Sequence, residues 1–170
     1  MMTSYRSESS DVAKRAISRW KLYIVKANLK KFLQDGAIHP TLFTLHKDEE
    51  GFFVPEENDI DEEFNLEFPI MDTVLPSIRM HIEKNKSICV CLSSLIYGKM
   101  LTGRRHQGAV YVDKEQTEKM LVIHFETKGY VKKDIRVYVV RDEWSPPQLE
   151  YDPSFSGDID GLPNLINNES

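Results

Sequence analysis

"KSICVCLSSLIYGKML", residues 86 to 101, is the stretch whose reading decides the fold. From Ile88 onward it is apolar at nearly every position. A strand with one wet face alternates apolar and polar side chains, whereas a strand covered on both faces is apolar throughout. This segment therefore reads as a central strand. It also carries both cysteines of the chain, Cys89 and Cys91. Cysteines two apart on extended backbone share a face with Cα atoms about 7 Å apart, at or beyond the reach of a disulfide. Tetrahedral zinc usually takes four Cys or His ligands in two close pairs, and no second pair exists here. The two thiols are expected to be buried core residues with no redox or metal role.

Upstream, "SSDVAKRAISRWKLYIVKANLKKFLQDG" has Ala13, Ala16, Ile17, Trp20, Ile24, Ala27 and Leu33 at the three-and-four spacing of one helical face. Ser10 or Asp11 can cap its start, and Gly36 stands beyond its end. A second stripe on the same helix is basic: Arg15, Arg19, Lys26 and Lys30. "HPTLFTLHKDEEGFFVPEE" reads as a hairpin around an acidic turn closed by Gly51, with Pro40 and Pro55 where no ladder donor is needed. In "FPIMDTVLPSIRMHIEKNK", Met71, Val74, Leu75, Ile78 and Ile82 again fall at helical spacing. Asp72 or Thr73 can cap there, with Pro76 in a first turn.

Downstream, "TGRRHQG" is a polar loop before the short extended piece "AVYVD". Two further strands follow, Met120 to Glu126 and Ile135 to Asp142, joined around Gly129. In the last of these, Ile135, Val137 and Val139 alternate with Arg136, Tyr138 and Val140. The expected architecture is α+β, a mostly antiparallel sheet of about five strands in the order α-β-β-α-β-β-β, with both helices packed on one face. Residues 1–10 are expected to be a flexible lead, 11–144 a single domain, and 145–170 an irregular acidic tail.

Charge is segregated. Residues 1–47 hold nine Lys/Arg against three Asp/Glu, 48–72 none against eleven, 73–141 thirteen against six, and 142–170 none against seven. The acidic blocks are either solvated loops or covers over the basic faces of this molecule or a partner subunit. At 41% hydrophobic and 29% charged the chain has the composition of a globular protein. It contains no run of about 18 uncharged apolar residues and no secretion-signal pattern at its start, which points to the cytoplasm.

Candidate chemistry is sparse. His124 and Glu126 share a strand face, and His106 from the glycine-flanked loop could join them as a third metal or acid–base group. Arg104, Arg105 and His106 form the best contact for an anion, with Arg15, Arg19, Lys26 and Lys30 of the helix as a second basic surface. The net charge of −5 and the scarcity of aromatic platforms argue against nucleic acid. The phosphate loop, dinucleotide fingerprint, nucleophile elbow and EF-hand patterns are missing, and "DIDGLPN" reads as a turn. No cofactor or metal is expected.

The element order, carried by the first helix leading into "DGAIHPTLFTL", the "GFFVP" return strand, "LPSIRMHI", the apolar strand, "MLVIHFETKG" and "IRVYVVRD", resembles a loosely defined group of short uncharacterised bacterial α+β proteins. The likeness covers about residues 20 to 142. It implies the element order and no catalytic residue. The expectation is a domain working through protein contacts or as a homo-oligomer, more a binding module than an enzyme. The alternative is a metal-assisted hydrolase or nucleic-acid-processing enzyme built on His106, His124, Glu126 and the Arg104-Arg105 loop.

Overall fold

A computed structural model describes residues 2–60, 68–101, 109–112, 118–130, 133–141, 147–151 and 164–166. The apolar stretch forms β3 (Cys89–Leu101), and its first half lies between two neighbours, as a strand buried on both sides requires. The remaining elements are α1 (Met2–Asp35), β1 (Thr41–Lys47), β2 (Phe53–Asp59), α2 (Phe68–Asn85), β4 (Ala109–Val112), β5 (Glu118–Thr127), β6 (Asp134–Arg141) and β7 (Gln148–Tyr151). Strands run in the spatial order β2-β1-β3-β5-β6-β7, all antiparallel, with β4 paired to the far end of β3. The expected α+β class and antiparallel pairing hold, and β4 and β7 bring the sheet to seven strands.

Local chemistry sets the joints. Between β1 and β2 the Asp48 carboxylate accepts the N–H groups of Glu50 (2.9 Å) and Phe52 (2.8 Å), and Gly51 takes a φ of 88° that a side chain would disfavour. Gly36, at φ 72°, ends α1 by donating its N–H to the Phe32 carbonyl at 2.7 Å. Pro55 stands within β2, tolerated because β2 is an edge strand.

The core has two halves, and this corrects the expected layering. Cys89, Cys91, Leu121, Ile123, Phe125 and Tyr138 meet Trp20, Ile24, Val25 and Phe32 of α1. Val90, Leu92, Met120, Val122 and Val137 meet Leu75, Ile78 and Ile82 of α2. The helices thus cover opposite faces of the sheet instead of sharing one. The reason is β3 itself: Cys89, Val90, Cys91 and Leu92 are all at most 2% exposed, and one helical layer cannot keep water off both faces of a sheet. Trp20 meets Phe125 edge to face at 5.9 Å, a favoured aromatic geometry at the centre of the α1 side. The alternation of β6 is as expected, with Val137 among the α2-side residues and Tyr138 and Val140 among those of the α1 side.

Other differences are local. Helix α1 begins at Met2, inside the expected flexible lead, because extending a formed helix costs far less than starting one. Its buried residue near the C-terminus is Phe32, while Leu33 is 56% exposed. Pro76 lies inside α2 and not in its first turn, so the helix lacks one N–H donor there. Strand β7 forms within the segment expected to be irregular; Leu149 and Tyr151 lie against β6, with Tyr151 5.0 Å from Tyr138 between ring centroids. Among the described residues no helix is long and apolar enough to cross a membrane.

Candidate functional site

Strand alternation puts His124 and Glu126 on the α2 side of β5, as the spacing predicted, and the register sets them opposite Leu92 and Val90 of β3. Both are buried, at 0% and 4% exposure. His124 Nε2 lies 3.0 Å from Glu126 Oε2, close but poorly aligned for a hydrogen bond, and His124 Nδ1 finds no partner among the described residues. The carboxylate is fully engaged. Its Oε2 accepts the Leu165 N–H at 2.7 Å and its Oε1 the Ile166 N–H at 3.3 Å. Burial pushes the Glu126 carboxyl up, but His124 and the two backbone donors outweigh it, leaving the group below the usual glutamate range.

The partners of Glu126 belong to a segment that sequence reasoning missed. Leu165 (1% exposed) and Ile166 (6%) complete the core on the α2 side. From α2, Arg79 donates to the Asn164 carbonyl through Nη2 at 2.7 Å and Nε at 3.3 Å. A buried carboxylate below and a guanidinium above therefore hold residues 164–166 by their backbone. The only sequence signal was the adjacent Leu-Ile pair in an otherwise polar stretch.

A second polar group ties β2 to α2. Asn85 donates to Glu56 Oε2 at 2.9 Å and lies 3.0 Å from His81 Nε2, which is 3.3 Å from the Asn58 amide. Glu56, from the first acidic block, thus faces α2, not the basic stripe of α1. Among the described residues no group of three or more His, Cys, Asp or Glu side chains could hold a metal ion. Arg104, Arg105 and His106, the last of them the expected third member of the His124–Glu126 group, lie outside the described residues.

The thiols are free and buried, as expected. Cys89 Sγ lies 3.3 Å from Thr127 Oγ1, and burial raises both cysteines above the ordinary thiol range, Cys91 well above it. Neither is a nucleophile at neutral pH.

On α1 the expected basic stripe is exposed: Arg15, Arg19, Lys26 and Lys30 all face water. Interleaved with them on the same quarter or so of the helix circumference are Val12 (56% exposed), Leu22 (51%), Tyr23 (64%) and Leu33 (56%). Lys21 belongs to the other side, bonded to Asp134 at 3.1 Å and lying over the Phe125 ring.

No protein-family model, no curated protein and no solved structure matches the chain.

Proposed function

We propose that this protein is a non-catalytic domain, working in the cytoplasm through protein contacts, with the outer face of α1 as its docking surface and an acidic protein as its partner. The observation that carries the reading is the mixed character of that face, four cations and four large apolar side chains in one exposed strip. Val12 to Leu33 spans roughly 30 Å of helix. Interfaces combine apolar anchors with charges that steer an oppositely charged surface and set its register. The catalytic alternative is weaker because Glu126 spends both oxygens on backbone N–H groups, and the histidine beside it is fully buried.

A photo-crosslinker at Tyr23, used in cells, tests the reading. A discrete acidic partner should be captured, and the Arg19→Glu, Lys26→Glu double variant should abolish capture while circular dichroism stays unchanged. Capture of only a second copy, matched by a dimer in light scattering, would replace the acidic partner with self-association. Capture that survives both charge reversals would refute the role of the strip. Stoichiometric zinc or manganese in the purified protein, lost on His124→Ala, would favour the enzyme.

A further inference from the structure

One end of the sheet gathers five cations from four segments. Lys47 closes β1, Lys128 follows β5, Lys86 follows α2, Arg79 lies in α2, and Lys14 lies on the flank of α1. The antiparallel register brings the strand ends together: Leu45 pairs with Cys89 and Cys89 with Thr127. The ladder runs one step further, with Ile88 N–H donating to the Leu45 carbonyl at 2.8 Å and Lys128 N–H to that of Ile88 at 2.9 Å.

Two cavities flank this end. On the α2 side, one of about 240 Å³ is bordered by Arg79, Lys86, Lys128 and Ser87, with Glu83 the acid among its described lining residues. On the α1 side, one of about 290 Å³ is bordered by Lys14, Lys47 and Lys128 and by the apolar walls of Ile17, Ile88 and Tyr130. Lys128 lines both, and Ser87 and Ile88, adjacent in the chain, line one each.

Two further features mark the place. Lys86 has φ 52°, and it is the one described residue other than glycine in the left-handed region. It follows the last residue of α2, where the Lys86 and Ser87 N–H groups close on the carbonyls of Glu83 (3.2 Å) and Ile82 (3.1 Å). Glycine or asparagine would adopt that conformation with less strain than lysine does. Beside it, the Ser87 hydroxyl is buried with no hydrogen-bond partner among the described residues. Strain, an unsatisfied hydroxyl and like charges converge on one spot.

We propose that this end of the sheet binds a small phosphate in the cavity on the α2 side, with the phosphate group against Lys128 between Arg79 and Lys86 and beside the Ser87 hydroxyl. A dianion suits the charge better than a carboxylate does, since several cations can each donate to one of its oxygens. The α2-side cavity, at about 240 Å³, is smaller than a usual ligand pocket of about 300–1,000 Å³, which suits a bare phosphate or a short phosphate monoester. The site is independent of the outer face of α1, because α1 covers the other face of the sheet.

The test is a two-dimensional NMR titration with inorganic phosphate and with phenyl phosphate, at ionic strength matched by sodium chloride. Both should give saturable shifts at the amides of Lys86, Ser87 and Lys128, with affinities within about threefold of each other, since the charged group makes the contacts. Lys128→Gln should weaken both by about tenfold or more, while Arg19→Glu, which disrupts the proposed protein-docking strip, should leave them unchanged. Lys86→Gly should melt at a higher temperature than the parent yet bind phosphate less tightly. Shifts that stay linear in concentration, that sodium chloride alone reproduces, or that survive both Lys128→Gln and Lys86→Gly would overturn the proposal. So would shifts caused by heparin but by neither phosphate.

Discussion

Glu126→Gln is the most informative single change, because it keeps the shape of the side chain and removes only its charge and one acceptor. In the native protein the carboxylate accepts from Leu165 N–H at 2.7 Å and Ile166 N–H at 3.3 Å while lying 3.0 Å from His124. A glutamine can serve one of those backbone donors, and it turns an NH2 group toward the other. Hydrogen bonds to a charged acceptor contribute about 1.5–3 kcal/mol, and a buried N–H left without a partner costs about 1–3 kcal/mol. The expected loss is therefore about 2–4 kcal/mol at neutral pH, a sizeable part of the roughly 5–15 kcal/mol that holds a domain together. Urea unfolding monitored by tryptophan fluorescence reads it as a lower midpoint at constant slope. Amide exchange at Leu165 and Ile166 should accelerate more than at Val122 or Val137.

The pH dependence supplies the sign. The folded carboxyl lies below its unfolded value, so its contribution is complete above the ordinary glutamate range and is lost as pH falls through the folded pKa. Parent and variant should converge in acid. A difference within about 0.5 kcal/mol at neutral pH, the range of an ordinary surface change, or a gap that widens on acidification, would refute the account of Glu126 as an anchor for residues 164–166.

Other expectations follow from the same geometry. Cys89 and Cys91 should resist a disulfide-exchange reagent at pH 8 and react together once urea unfolds the chain; rapid native-state labelling of either would contradict their burial. Leu121→Ala, at a position with 0% exposure, should cost about 2–5 kcal/mol in urea unfolding, and Leu22→Ala on the outer face of α1 less than about 0.5 kcal/mol. Burial pushes the Asp134 carboxyl up, but Arg136 and Lys21 hold it below the usual range, so Lys21→Ala should raise its NMR-measured pKa. The same change should cost no more than about 1 kcal/mol, and less in high salt.

The parts of the fold legible in the sequence were those written in neighbouring residues. Period-two alternation in β6, the Asp48–Gly51 turn and Gly36 after α1 each depend on a handful of adjacent side chains, and each came out as expected. The composition of β3 already required a cover on both faces, and assigning both helices to one face went against that requirement. Leu33 was placed in the core although nine residues at about 100° each set it half a turn from Ile24, while Phe32, one residue earlier, turns back toward the buried side. Strand β7 escaped because Pro146, Pro147 and nearby acids outweighed the weak alternation of Leu149 and Tyr151. The anchor on Glu126 was illegible for a different reason. Its partners are backbone N–H groups 39 and 40 residues away, and a peptide group has no sequence signature. The cationic sheet end was hidden likewise, since Lys14, Lys47, Arg79, Lys86 and Lys128 meet only after the strands align.

Strand β2 bears on how copies of the molecule behave at high concentration. Among the described residues β2 is an outer strand with no strand partner on its far side, yet Pro55 removes one donor, and Glu57 and Asp59 stand exposed beside it. Edge-to-edge stacking of two molecules along this border would set those carboxylates against each other, and at neutral pH their repulsion keeps the border closed to such growth. High salt screens that repulsion and leaves the proline to oppose such pairing. Salt-driven precipitation would accordingly begin at β2.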